Sequence, residues 1–259
     1  MRYIKKLGIF NNKNLKEKTL GKKNTGGRNN LGRLTSYRKG GGHKQLYREI
    51  NFQRSDLNGV ITSIEYDPNR TCNIASVFDH NKRKFNYILA PKGISLGDYI
   101  KSGKNADVHL GHSLLLEKVP LGSFIHNISL SPNNVGKLAR AAGSSAQLIH
   151  KNKKYATVKL KSGEHRLIPL DCHATLGILS NENNNNFLIK KAGRSIWLNR
   201  RPSVRGVAMN PVDHPHGGGE GKTSGGRPSV TPWGKPAKGK PTSKSKNKLI
   251  TISRKIKNK

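Results

Sequence analysis

Short apolar runs rich in β-branched and aromatic residues recur through the middle of the chain, each bounded by Gly, Pro, Asn or Asp. GVITSIEY (59–66), NIASVFD (73–79), KFNYILA (84–90), SFIHNISL (123–130), AQLIHK (146–151), YATVKL (155–160) and EHRLIPL (164–170) have the length and composition of strands. DPNR (67–70), DHNK (79–82) and the KSG between Leu160 and Glu164 read as turns, the last as a tight hairpin. Strands at this spacing predict a mainly β protein built from small antiparallel barrels.

Pro120 and Gly122 interrupt the strand-rich middle near EKVPLGS (117–123), which predicts two barrels in tandem over 49–119 and 120–195. One short helix is predicted over NNVGKLARAAG (133–143), capped by Asn133 or Asn134 and ended by Gly143. Two segments have no strand pattern: a basic N-terminal arm (1–48) and a C-terminal extension (196–259). Pro202, Pro211, Pro215, Pro228, Pro232, Pro236 and Pro241 forbid long helices or central strands in the extension, so it should be extended and ordered mainly by a partner.

Charge changes the picture most. Forty-nine Lys and Arg against fourteen Asp and Glu leave a net +35 over 259 residues, with only 33% hydrophobic residues to hold the chain together. Residues 1–48 carry fourteen cations and the single acid Glu17, and residues 221–259 carry twelve cations and no acid. Such self-repulsion opposes compaction unless a polyanion neutralises it. Nucleic acid is therefore the expected partner. A membrane partner would need a long apolar span or an amphipathic basic helix, and the apolar runs are too short for either. Cys72 and Cys172 lie far apart in apolar runs and predict two buried free thiols rather than a disulfide framework. The first residues contain neither a signal-peptide core nor an Arg- and Ser-rich amphipathic pattern, so the protein is expected to act where it is made.

The arms hold the candidate chemistry. TGGRNNLGRLTSYRKGGGHKQLYR (25–48) interleaves Gly with cations, His and Tyr, which lets the backbone approach phosphates while long side chains reach outward. NPVDHPHGGGEGK (210–222) raises a metal or catalytic alternative, because Asp213, His214, His216 and Glu220 are competent ligands. It lacks an HExxH helix, a cysteine pair and a nucleophile frame, so no catalytic and no metal residues are expected. A glycine-lined backbone flanked by imidazoles suits threading between RNA segments instead. Asp213 and Glu220 are expected to brace this loop against Arg200, Arg201 or Arg205.

MNPVDHPHGGGEGKTSGGRPSVTPWGKPAKGK, GGRNNLGRLTSYRKGGGHKQLYR, EYDPNR and YILAPKG, together with VPLGSFIHNI, GKLARAAGS, LKSGEHRLI and CHATLG, closely resemble the universal large-subunit ribosomal protein L-two family from about Gly26 to Trp233. The resemblance implies an oligonucleotide-binding-type barrel followed by an SH3-like barrel, with extended basic N- and C-terminal arms. It implies binding to large-subunit ribosomal RNA, contact with neighbouring ribosomal proteins and with the small subunit, and no membrane or small-molecule substrate. No cofactor is implied, with Mg2+ entering only through bound RNA. In the family the loop carried here by Asp213, His214, His216, Gly217, Gly218, Gly219 and Glu220 approaches the peptidyl transferase region. The family supports assembly of that region, transfer-RNA binding and subunit association, while the reaction belongs to the RNA. The arm before GGRNN is shorter than usual for the family, and NENNNNF (181–187) is unusually Asn-rich. Richness in Asn, Lys and Ile suits an AT-rich genome and points to a mitochondrial member encoded in the organelle, with a plastid or bacterial cytoplasm as the alternative.

The RNA contacts expected are Arg28, Arg33, Arg38, Lys39, His43, Lys44 and Arg48 in the N-terminal arm. In the extension they are Arg200, Arg201, Arg205, Asp213, His214, His216, Gly217, Gly218, Gly219, Lys222, Arg227, Trp233 and Lys235.

Overall fold

The computed structural model describes residues 15–54, 56–103, 105–221, 225–238 and 247–254. The chain forms two compact units. One comprises 1–22, 45–188 and 248–259; the other joins 23–44 to 189–247.

The first unit is mainly β and antiparallel, as the apolar runs predicted. β1 (Thr19–Lys22) and β2 (Gln45–Arg48) form a ribbon in which Thr19 faces Arg48 and Lys22 faces Gln45. Their basic, polar sequences carry no alternation, and the expected arm contained no strand. β3 (Asn58–Glu65), β4 (Ile74–Asp79), β5 (Lys84–Leu89) and β6 (Tyr99–Lys101) make a sheet of order β5-β4-β3-β6. β7 (Ser113–Leu115), β8 (Phe124–His126), β9 (Ala146–Lys151), β10 (Tyr155–Leu160), β11 (His165–Pro169), β12 (His173–Leu176) and β13 (Ile250–Ile252) make the second, of order β13-β11-β10-β9-β8-β12-β7. The sheets change over between β6 and β7, upstream of Pro120. β13 shows that part of the Lys-rich end is ordered by the protein itself, since Ile250 and Ile252 pair with Arg166 and His165.

Each sheet buries its own apolar face. Leu57, Ile61, Ala75, Val77, Ile88 and Ile100 pack beneath the first, and Leu114, Ile125, Leu148, Ala156, Val158 and Ile168 beneath the second. A third cluster of Ile50, Cys72, Ile74, Tyr87, Leu89 and Leu179 draws on both halves of the unit. Cys72 and Cys172 are free and buried, and burial raises both thiols above their ordinary range. The expected turns form: the Asp67 and Asp79 carboxylates accept the amides of Asn69 and Asn81, and Gly163 takes φ +84° in the β10–β11 hairpin.

The helix expected over 133–143 does not form. The amides of Lys137 and Leu138 both bond to the Ile128 carbonyl, and Asn133 and Ala139 adopt left-handed φ of 58° and 51°. Leu138 packs against the second core, and its pairing with Ile128 just beyond β8 satisfies these amides, so an extended conformation wins over a short helix whose nucleation is costly. A Cβ on Gly136 would lie 2.2 Å from the Asn127 side-chain oxygen, so only glycine permits this approach.

Burial also reaches two basic side chains, Arg54 and His126. Arg54 lies fully inside; among the described residues its guanidinium donates only from Nη1, to Thr175 Oγ1 at 3.4 Å, and desolvation lowers its pKa to about 9. Burial likewise pushes the His126 imidazole down to about 4, the Arg54 charge adding to the effect while the Nδ1–H bond to the Gly177 carbonyl (2.8 Å) opposes it. The folded protein therefore holds His126 neutral where the unfolded chain, with an ordinary value of 6.5, takes up a proton. Its contribution is complete above about pH 6.5 and is lost as pH falls towards 4, amounting to about 3 kcal/mol. Urea unfolding at pH 7 and pH 4.5 should show this loss. His126→Asn, which keeps a donor but does not titrate, should remove most of that pH dependence.

Candidate nucleic-acid interface

Every described residue expected to contact RNA falls in the second unit except Arg48, and Lys222 lies outside the described residues. The unit is assembled by backbone contacts between the two stretches of chain. The short helix α1 (Ala192–Trp197), which sequence reasoning missed, is stopped by Asn199 in the left-handed conformation with φ 66°. Asn199 accepts the Asn24 amide at 3.2 Å, and a Cβ on Gly42 would meet its backbone at 3.0 Å. The His43 amide bonds to the Trp197 carbonyl, the Arg201 amide to Arg38, and Lys39 bridges Arg200. Arg38 Nη2 donates to the Val204 carbonyl at 3.0 Å, and Tyr37 packs on Trp233 with ring centres 6.0 Å apart. The two segments are therefore ordered substantially by each other.

Side chains point outward from this frame. Arg28, Arg33, Arg38, Lys39, His43, Lys44, Arg200, Arg201, Arg205, Arg227, Trp233 and Lys235 are exposed. Nineteen Lys and Arg against Asp213 and Glu220 give residues 23–44 and 189–247 a net +17, about half of the chain's excess in under a third of its length. Asp213 and Glu220 are exposed and form no ion pair with Arg200, Arg201 or Arg205, which corrects the expected bracing. Trp233 occupies the tip of a turn closed by Gly234 N–H to the Thr231 carbonyl (2.9 Å) and Thr231 N–H to the Lys235 carbonyl (2.8 Å).

The histidine-glycine loop is held from inside. His214 is buried, its ring stacked on His216 at 5.1 Å, and a Cβ on Gly206 would lie 2.6 Å from that ring. The His216 amide donates to His214 Nδ1 at 3.0 Å. His216 Nε2 accepts the Val230 amide at 3.0 Å, so Nδ1 carries the proton and donates to the Gly225 carbonyl at 3.1 Å. A Cβ on Gly217 would be 2.3 Å from the Asn210 carbonyl oxygen, and Gly218 and Gly219 take φ of 95° and 98°. His214 Nδ1 and both nitrogens of His216 are engaged by backbone groups, so these three are not free to ligate a metal. Among the described residues no group of three or more His, Cys, Asp or Glu is placed to hold a metal.

Arg48 turns inward. It is buried, with Nη1 3.8 Å from Asp67, whose other oxygen receives Arg70 Nε at 2.5 Å. Its charge therefore serves the first unit internally. Sequence reasoning missed a cationic platform in the same unit. Phe52 lies beneath two guanidinium groups, Arg140 at 4.6 Å and Arg70 at 5.6 Å from its ring centre. Arg140 is exposed, follows the left-handed Ala139, and is steadied by one bond from Nη1 to the Gly136 carbonyl at 3.2 Å. With no carboxylate partner among the described residues, it is a preoriented donor. No short-range signal could have joined Phe52, Arg70 and Arg140, which are separated by up to 88 positions.

Two family models match the chain: ribosomal proteins L2, RNA binding N-terminal domain, over residues 15–102, and ribosomal proteins L2, C-terminal domain, over residues 109–234. The chain belongs to the ribosomal protein L2 family. It is 57% identical over 241 residues to large ribosomal subunit protein uL2m of Reclinomonas americana, covering 91% of this chain and 87% of that protein. It is 51% identical over 256 residues to large ribosomal subunit protein uL2 of both Rickettsia africae (strain ESF-5) and Rickettsia conorii (strain ATCC VR-613 / Malish 7), covering 97% and 93%. In this L2-family chain the histidine-glycine loop is a hydrogen-bonded clamp whose central residue is His216. Replacing His216 by Ala removes the acceptor of the Val230 amide and the donor to Gly225. Amide exchange at Val230 should then accelerate by about fivefold, as expected for losing roughly 1 kcal/mol of hydrogen bonding, with β3 and β4 amides unchanged.

Proposed function

We propose that the protein is a non-catalytic structural constituent of a mitochondrial large ribosomal subunit, where it binds large-subunit ribosomal RNA. The observation that carries this reading is the second unit's surplus of seventeen positive charges on a frame held by Gly, Asn and backbone bonds. Exposed guanidinium and ammonium groups neutralise phosphates and release counterions, while close-approach glycines keep the frame thin enough to pass between RNA segments. The first unit contributes the Arg140 platform as a second cationic contact.

Within that function, the clamped loop at Asp213–Glu220 supports the architecture of the peptidyl transferase region, and the protein assists transfer-RNA binding and subunit association. Any Mg2+ near it is held by the RNA. The mitochondrial assignment is supported by the similarity to uL2m and by the Asn-, Lys- and Ile-rich composition. Neighbouring ribosomal proteins and the small subunit complete the set of partners.

Binding of the full chain to a large-subunit RNA transcript should survive competition by duplex DNA at matched salt, and equal competition would refute the assignment. Arg140→Ala should weaken binding by about tenfold and lower the salt slope by about one unit, because one phosphate contact is lost. Filter binding across a salt series measures both.

A further inference from the structure

A cleft of about 730 Å3 opens in the first unit beside the ends of β3 and β6, within the roughly 300–1,000 Å3 of small-molecule sites. Among the described residues its walls are mainly polar and include a single cation. Asn58, Asn81, Asn105 and Asn133 line it with Asp56 and His173, while Leu57 and Ala106 add apolar surface. The one described cation in the lining, Lys101, is already engaged by Asp107 at 3.1 Å. Two buried polar atoms of the lining have no partner among the described residues: Ser102 Oγ and His173 Nδ1. Ser102 is itself buried, so its hydroxyl is a group that a ligand can satisfy.

The lining is also held in place. Asp56, Gly103 and Asn133 have φ of 52°, 120° and 58°, and Tyr99 Oη donates to the Asn58 side-chain oxygen, leaving the Asn58 amide hydrogens as donors. The Ser129 hydroxyl accepts the His173 backbone amide at 2.9 Å. Burial lowers the His173 imidazole below its ordinary range, which favours a neutral ring with one donor and one acceptor nitrogen. Amides, a hydroxyl and a neutral imidazole provide mixed donors and acceptors of the kind an unpaired base presents along its edge, and the apolar patches suit its faces. Among the described lining residues a phosphate would find a lysine already paired with Asp107 and the Asp56 carboxylate.

We propose that this cleft takes one unpaired, extruded base of the bound RNA, read through Ser102, His173 and the asparagine amides. This rests on the RNA-binding reading above and adds a base-specific contact to it.

The test uses the full chain and the large-subunit RNA transcript. Asn81→Trp places an indole at the mouth from an exposed turn position, and His173→Ala removes one reading group. With thermal unfolding unchanged, each variant should lose roughly 5- to 100-fold in affinity at an unaltered salt slope, since a base contact and not a phosphate contact is removed. Base-modifying reagents should find one nucleotide protected by the wild-type protein and reactive with either variant. If Asn81→Trp fails to fold, His173→Ala carries the test. Affinities within twofold of wild type, with no base changing reactivity, overturn the cleft proposal while leaving RNA binding intact. Loss of the wild-type preference for the transcript over duplex DNA overturns both.

Discussion

Mutual repulsion among forty-nine cations is the constraint to which the rest of this structure answers. Fourteen acids cannot neutralise them, and several of those acids are committed inside the first unit. Asp67 is fully buried between Arg48 and Arg70, and Asp107, Glu49 and Glu182 pair with lysines. The surplus is left outward, where a polyanion gains counterion-release free energy by meeting it. The second unit, with two acids and nineteen cations, concentrates that surplus on an irregular frame.

That frame replaces a hydrophobic core with short-range geometry. Left-handed Asn199, the close approach at Gly42 and the clamp from His216 to Gly225 and Val230 fix the backbone with hydrogen bonds and steric exclusion. Cationic side chains then leave a fixed backbone, so less conformational entropy is lost when they meet phosphate. The same economy places Arg140 on Phe52, where the ring orients the guanidinium before any partner arrives.

Much of this was legible from local pattern. β3, β4, β5, β9, β10 and β11 fall where period and β-branched content put them, and the asparagine and aspartate turns close as their chemistry dictates. The region 133–143 misled because Leu138 and Ala139 look helical locally, whereas the Ile128 carbonyl, ten residues upstream of Leu138, captures two of its amides in an antiparallel pairing. The β1–β2 ribbon and β13 were invisible because their pairing partners lie more than twenty residues away and their own sequences are short or polar. The family resemblance, carried by the N-terminal glycine-rich and histidine-glycine blocks, matched the relatives found, since those blocks join residue types that composition alone does not order.

By itself, the sequence determined the class of partner, the mainly β character and the identity of the exposed cations, because charge, period and turn chemistry are properties of neighbouring residues. Only the tertiary structure decided how those residues are spent. It turned Arg48 and His214 inward, tied both nitrogens of His216 to backbone, joined the two basic segments into one unit, and brought Phe52 under Arg70 and Arg140. Burial and hydrogen-bond partnership arise from contacts between distant parts of the chain, so the spacing of residues along it does not encode them.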